Sequence, residues 1–84
     1  MKPYELYMHV DLLDSFPARN PDRQRMMSFI YSLREHPGTK GDFSDRDASL
    51  RERQIKIIGD YALTYWVDAP VRTVMVVDIR RADG

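Results

Sequence analysis

The pattern of apolar and polar positions predicts four β-strands, the first from partial alternation and the other three from strand-forming composition. The first stretch, Tyr4 to Val10, is short and rich in aromatic and branched residues. The other three, Arg51 to Ile58, Tyr61 to Asp68 and Thr73 to Arg80, have strand-forming composition and are separated only by short turns. Because short connections join antiparallel neighbours, these three stretches predict an antiparallel meander.

Between the first strand and the meander, the apolar residues recur at helical spacing. The members of this stripe are Met26, Phe29, Ile30 and Leu33. Asn20 offers a capping side chain, Pro21 suits the first helical position, and Pro37 cannot continue the helix. Asp11 predicts the cap of a shorter helical turn that ends at Pro17.

The polar segment Gly38 to Ser49 predicts a loop, with Phe43 packed onto the body of the protein. The fold class that follows is α+β: an N-terminal strand, a short and a long helix, and a three-stranded antiparallel meander. With no linker and no internal repeat in the 84 residues, residues 1–84 are predicted to form one domain.

Strict alternation also predicts which side chains of the meander share a face. Six odd positions are expected to point inward: Ile55, Ile57, Tyr61, Leu63, Tyr65 and Val67. A three-residue connection from Ile58 to Asp60 then pairs Lys56 with Ala62, whereas a two-residue turn at Gly59-Asp60 would mix the two faces.

In the next hairpin, the same alternation pairs Val67 with Thr73. The even positions are expected on the second face: Gln54, Lys56, Ala62, Thr64, Trp66, Val74, Val76, Asp78 and Arg80. Lys56, Ala62 and Asp78 would form one row across three strands.

Composition limits the environment of the protein. The chain has thirteen Lys and Arg against thirteen Asp and Glu, and no cysteine, which excludes disulfides and counts against strong nonspecific nucleic-acid binding. No signal peptide and no membrane-spanning segment are expected, so a cytoplasmic location without membrane contact is predicted. His9 and His36 have no companion at ligand spacing, so neither a metal site nor a cofactor is predicted.

Three groups of motifs, in this order, resemble the RelE/ParE superfamily of toxins from type II toxin–antitoxin systems. They are Phe29-Ile30 and Leu33 with Pro37 and Gly41-Asp42, then Ile55-Lys56-Ile57 with Gly59-Asp60-Tyr61 and Leu63-Thr64-Tyr65, then Val74 to Ile79 with Arg80-Arg81. The resemblance covers nearly the whole chain. It implies a small bacterial toxin, of the kind that also includes plasmid-stabilisation proteins, neutralised by a cognate antitoxin that wraps over it.

The resemblance implies two modes of action. RelE-like members cleave mRNA on the ribosome as mRNA interferases, and ParE-like members inhibit DNA gyrase. In the first mode, Lys56 matches a catalytic lysine, and Arg80 or Arg81 matches an arginine after the last strand. These cations would stabilise the charge that develops on a reacting phosphate. The simpler role for Lys56 is an ion pair with Asp78 across the sheet.

The sequence also departs from the RelE-like nuclease pattern. Ala62 stands where an arginine is expected after the hairpin tyrosine, and Gln54 replaces a lysine. The sequence ends at Gly84, so we expect no counterpart of the C-terminal catalytic tyrosine. These departures keep open the alternative of a ParE-like gyrase inhibitor, or of a non-catalytic member that acts by protein binding.

Four further residues are candidates for partner binding. In the register that strict alternation gives, Trp66, Val74 and Val76 form an apolar patch that an antitoxin or a second copy of the chain would cover. Arg23 lies at the start of the long helix, where a cation opposes the helix dipole. Either a partner contact or chance would explain why an arginine occurs at this position.

Overall fold

The computed structural model describes residues 2–19 and 21–82, and it contains one mixed β-sheet with helices on one side. The elements in chain order are β1 (Glu5–Met8), a 3₁₀ helix (Val10–Ser15), α1 (Asp22–Glu35), β2 (Phe43–Arg46), β3 (Glu52–Ile58), β4 (Tyr61–Asp68) and β5 (Thr73–Arg81). The strand order is β1-β5-β4-β3-β2, with β1 parallel to β5 and the other pairs antiparallel. The predicted α+β class and the β3–β4–β5 meander are confirmed.

The long helix α1 is held to the sheet by its apolar stripe. Met26, Ile30 and Leu33 are fully buried, each side chain contributing about 1.5–3 kcal/mol by leaving water. The helix ends where predicted, before Pro37, with the His36 backbone N–H donating to the Ser32 carbonyl. The predicted capping role of Asn20 lies outside the described residues.

Two local predictions are wrong. The segment predicted as a loop contains β2, whose Phe43 is 61% exposed rather than packed onto the body. This strand forms because Asp47 closes the turn after it, its carboxylate accepting hydrogen bonds from the Ser49 and Arg51 backbone N–H groups. The second error concerns the 3₁₀ helix. Its cap is the His9 side chain, which accepts a hydrogen bond from the Asp11 backbone N–H, rather than the predicted Asp11 side chain.

The first hairpin of the meander has a two-residue turn, so the predicted three-residue connection is wrong. Ile58 pairs with Tyr61 around Gly59-Asp60, and Gly59 adopts a φ of +59°, which glycine tolerates without strain. Lys56 therefore lies opposite Leu63 rather than Ala62. Alternation gave the wrong register here because β3 carries apolar residues on both faces, and only Ile58 of this strand is buried.

A β-bulge in β5 breaks the alternation a second time. Asp68 pairs with Thr73 and Tyr65 with Val76, but Thr64 pairs with Asp78, so Val77 is the extra residue. The predicted pairing of Val67 with Thr73 is wrong by one residue. More importantly, the bulge moves the residues after it to the opposite face from the one that strict alternation assigns.

The two faces of the sheet have different surroundings. The face that packs against α1, here called the helix face, carries most of the core: Leu63, Tyr65, Val74, Val76 and Ile79. The opposite face, here called the open face, carries no helix in the described part of the chain. None of the helices within residues 2–19 and 21–82 is long and apolar enough to cross a membrane.

Candidate functional site

The bulge at Val77 builds a cluster of charged residues on the open face. Before the bulge, Val74 and Val76 point into the core, and a regular strand would carry Asp78 and Arg80 into the core after them. The extra residue gives that place to Ile79 and moves both charged side chains to the open face. Bulges re-aim side chains in this way beside many functional sites.

A cavity of about 430 Å³ surrounds these charges. Its lining residues come from β2, β3, β4 and β5: Asp45, Arg53, Ile55, Ala62, Thr64, Val77, Asp78 and Arg80. Thr64, which is 7% exposed, lies between Ile55 and Asp78 in the sheet register and forms part of the floor. The site is thus a shallow depression with charged walls and a floor that includes Thr64.

Each arginine in the cavity is held by an aspartate. Arg53 forms a two-pronged pair with Asp45, with Nε at 2.9 Å and the second nitrogen at 2.8 Å from the two carboxylate oxygens. The Arg53 hydrogen bond holds the pKa of Asp45 below its ordinary value, and Asp45 in turn raises the pKa of Arg53. Arg80 binds Asp78 through its Nε, and this hydrogen bond raises the pKa of Arg80.

The cluster therefore suits charge recognition better than proton transfer. Two guanidinium groups and two carboxylates give a net charge near zero, and the charge of Arg53 also acts on the pKa of Arg80. Arginine does not release its proton in proteins, and a carboxylate with a lowered pKa is a weak base at neutral pH. An incoming oxyanion would have to displace the aspartates.

Comparison with known proteins identifies the fold. Over 95% of this chain and 96% of the other, the structure matches a chain of the archaeal RelE–RelB complex from Pyrococcus horikoshii, with a TM-score of 0.72 and 17% identity. The chain has the RelE fold. It is also similar to a chain of the toxin–antitoxin complex RelBE2 from Mycobacterium tuberculosis, with a TM-score of 0.64, 19% identity and 94% and 98% coverage. No protein-family model matches the sequence, and no curated protein is significantly similar to it.

In this RelE fold, the cations predicted as catalytic fall on two faces. Lys56 lies on the helix face, with its Nζ 3.7 Å from Asp42 Oδ1 and 5.8 Å from the centre of the Phe29 ring. The alternative role for Lys56, an ion pair with Asp78, is therefore wrong, because Lys56 pairs with Asp42 instead. Arg81 is also on the helix-face side of its strand, 5.6 Å from the Tyr61 ring, whereas Arg80 is on the open face.

Arg53, which shares the open face with Arg80, was not among the residues predicted as catalytic. The sequence feature that indicates its position is Gly59-Asp60, which is typical of a two-residue hairpin turn. With that turn, Arg53 and Ile55 fall on the same face as Ala62 and Thr64, as the structure places them.

The predicted apolar patch does not exist as one surface. Val74 and Val76 are buried under α1, at 0% and 1% exposure, so the patch of Trp66, Val74 and Val76 is wrong. The bulge explains the error, because it separates the face of these valines from that of the later even positions. Trp66 itself lies on the open face beside Met75, with the Arg51 guanidinium 3.9 Å from its ring.

Arg23, the fourth candidate for partner binding, lies exposed in the first turn of α1. Its guanidinium is 5.7 Å from the Phe16 ring, and one nitrogen donates to the Pro17 carbonyl at 3.4 Å. These contacts tie α1 to the segment before it, which gives Arg23 a structural role whatever else it binds.

Proposed function

We propose that this chain is the toxin component of a type II toxin–antitoxin system and that a cognate antitoxin protein keeps it inactive. One observation carries the proposal: the fold matches, over 94% or more of the chain, two proteins whose crystal structures are a RelE–RelB complex and a toxin–antitoxin complex. Apolar and aromatic residues on the open face support a protein partner. Tyr7, Phe43 and Val77 are 52%, 61% and 38% exposed there.

The charged residues favour a toxin that acts by binding a protein target, as ParE-like members bind DNA gyrase. Arg53 and Arg80 are each neutralised by an aspartate, and Lys56 lies on the other face of the sheet. Ala62 and Gln54 stand where RelE-like nucleases have cations. Exposed cations that are already paired add little to transition-state stabilisation, because that requires donors free to meet developing charge.

Ribosome-associated mRNA cleavage is the second candidate. The observation that favours it is the cavity that Arg53 and Arg80 share with Thr64 on the open face. If the aspartates were displaced, two guanidinium groups could hold a phosphodiester in two-pronged geometry.

Two assays with the purified protein separate these modes. In the first, mRNA is translated in a cell-free system and its breaks are mapped; in the second, gyrase supercoils a relaxed plasmid. The binding mode predicts inhibited supercoiling and intact mRNA. The cleavage mode predicts mRNA breaks that are lost in Arg53→Ala and retained in Lys56→Ala, a matched loss of one cation on the opposite face.

The partner is tested by co-expression with the product of the adjacent reading frame. We expect a stable complex in the bacterial cytoplasm, with Trp66 and Arg23 as candidate contacts in addition to the open face. Trp66→Ala should weaken the complex at least tenfold, because buried aromatic anchors dominate most interfaces. A complex of unchanged affinity would remove Trp66 from the interface, and a dimer without the adjacent product would make a second copy of the chain the occupant.

A further inference from the structure

A positively charged site lies at the end of the molecule where α1 ends and β1 begins. A cavity of about 130 Å³ is lined there by Lys2, Pro3, Tyr4, Arg34, Glu35, Pro37 and Arg72. Arg72 precedes β5 and Arg80 lies near its other end. At roughly 3.3 Å per residue the two arginines are about 25 Å apart. The cavity is therefore separate from the charged cluster on the open face.

Main-chain contacts fix two of its guanidinium groups. Arg34 donates from Nε to the Tyr4 carbonyl at 3.1 Å, and the Tyr4 N–H donates back to the Arg34 carbonyl at 2.9 Å. Arg72 donates to the Lys2 carbonyl at 2.6 Å and lies 4.5 Å from the centre of the Tyr4 ring. Each of these bonds occupies one of the five N–H donors of a guanidinium, so most donors of both groups remain available.

The backbone of Arg72 is held in an unusual conformation. Its φ is +51°, in the left-handed region that a side chain other than glycine or asparagine rarely adopts. The position carries a guanidinium that stacks on the Tyr4 ring and lines the cavity, and strained residues are concentrated at binding sites.

The cations at this site keep their charge, unlike five cations of the chain that pair with an aspartate. Arg25, Arg51, Arg53, Lys56 and Arg80 each pair with an aspartate. By contrast, Lys2, Arg34 and Arg72 form no ion pair with any carboxylate in residues 2–19 and 21–82, although Glu35 lines the same cavity. Three cations against one carboxylate leave a net charge of about +2 around a space the size of one small anion.

We propose that Lys2, Arg34 and Arg72 form a binding site for a phosphate group, supplied either by a polynucleotide backbone or by free phosphate. Guanidinium forks fixed before binding match the oxygens of phosphate and lose little side-chain freedom when it binds. Phosphate is favoured over a carboxylate side chain because it offers more acceptor oxygens to the three cationic side chains that line the cavity. The site goes beyond the proposed toxin function and does not depend on the mode of action.

The test measures the affinity of the full chain for a short single-stranded RNA, for inorganic phosphate and for a glutamate peptide. Arg72→Gln should weaken phosphate or RNA binding about tenfold and reduce the dependence of RNA affinity on salt by about 0.7 in log–log slope. Glu35→Gln should strengthen binding two- to threefold, because it removes the only carboxylate among the described residues that line the cavity. That gain cannot arise from misfolding.

Arg46→Gln is the matched control. Arg46 is an exposed arginine that also donates to a main-chain carbonyl, that of Leu50, and it too lacks a carboxylate partner among the described residues. It should retain wild-type affinity. If the wild type binds RNA more tightly than inorganic phosphate, the phosphate group comes from a polynucleotide backbone. If it binds the two equally, the ligand is free phosphate. Equal losses in Arg46→Gln and Arg72→Gln, preference for the glutamate peptide, or no binding by the wild type would overturn the proposal.

Discussion

On the open face, Asp45 neutralises the charge of Arg53 by forming an ion pair with it. The pair joins β2 to β3, with both side chains partly exposed, so its contribution to stability is small while its effect on local charge is large. The sequence did not predict this pair, because β2 has the composition of a loop and its pairing with β3 depends on Asp47 closing the turn. A residue-level site on this sheet could not be predicted without that strand.

Tyr65 links the core to the segment after α1. Its ring is fully buried and packs edge-on against Phe29 at 5.6 Å, and its hydroxyl donates to the Thr39 carbonyl at 2.8 Å. Burial, aided by the nearby charge of Asp42, raises the pKa of Tyr65 from 10.0 to about 12. A raised pKa gives stability that is fully present below pH 10 and is lost as the pH rises towards 12.

We therefore expect Tyr65→Phe to destabilise the protein by about 1 kcal/mol at neutral pH, through the lost hydrogen bond. The difference from the wild type should shrink as the pH rises from 10 to 12, because phenylalanine does not ionise. Urea unfolding at several pH values measures both effects. Tyr31→Phe, at a side chain that is 54% exposed, is the control and should change neither. A difference that stays constant across this pH range would contradict the assigned cause.

Among the elements, the hairpin between β3 and β4 decides which face Lys56 occupies. The turn needs Gly59 because its φ is +59°, and a Cβ there would also require the Asp22 carboxylate, 2.7 Å away, to move. We expect Gly59→Ala to cost about 1–3 kcal/mol in thermal or urea unfolding. Gly38→Ala, where nothing lies within 4 Å, should change stability by less than about 0.5 kcal/mol. Equal effects of the two substitutions would show that the turn is not constrained as described.

The bulge in β5 was the feature that sequence periodicity could not reveal. The run from Val74 to Val77 is apolar at every position, so nothing in it marks Val77 as the extra residue. Periodicity does predict a strand there, and the strand is correct. The predicted faces of this strand are wrong, because one inserted residue exchanges all later side chains between core and solvent.

Deleting Val77 tests the role of the bulge. The deletion would restore strict alternation and direct Asp78 and Arg80 into the core under α1, where an unpaired charge costs several kcal/mol. We expect the variant to lose cooperative thermal unfolding. Val77→Ala is the control, because the side chain is 38% exposed, and it should unfold cooperatively within about 1 kcal/mol of the wild type. A deletion variant with the wild-type melting temperature would refute this assignment.

For the whole molecule, the order of strands and helices could be predicted from the sequence, and the sites could not. The long helix depends on a regular stripe from Met26 to Leu33, and the meander on three closely spaced strands, so both follow from local pattern. The position of Lys56 relative to Arg80 depends on a turn and a bulge, each of which shifts a strand by one residue. At 17% and 19% sequence identity, similarity of fold does not determine where these two side chains lie.

The central claim is that the protein is a toxin restrained by an antitoxin, and growth of a bacterial host that expresses it tests this most directly. The claim predicts growth arrest on induction of the chain alone, and recovery when the product of the adjacent reading frame is induced with it. Folding of the expressed protein is checked by its cooperative thermal unfolding. Normal growth in the presence of folded protein, with no complex formed by the adjacent product, would contradict the claim.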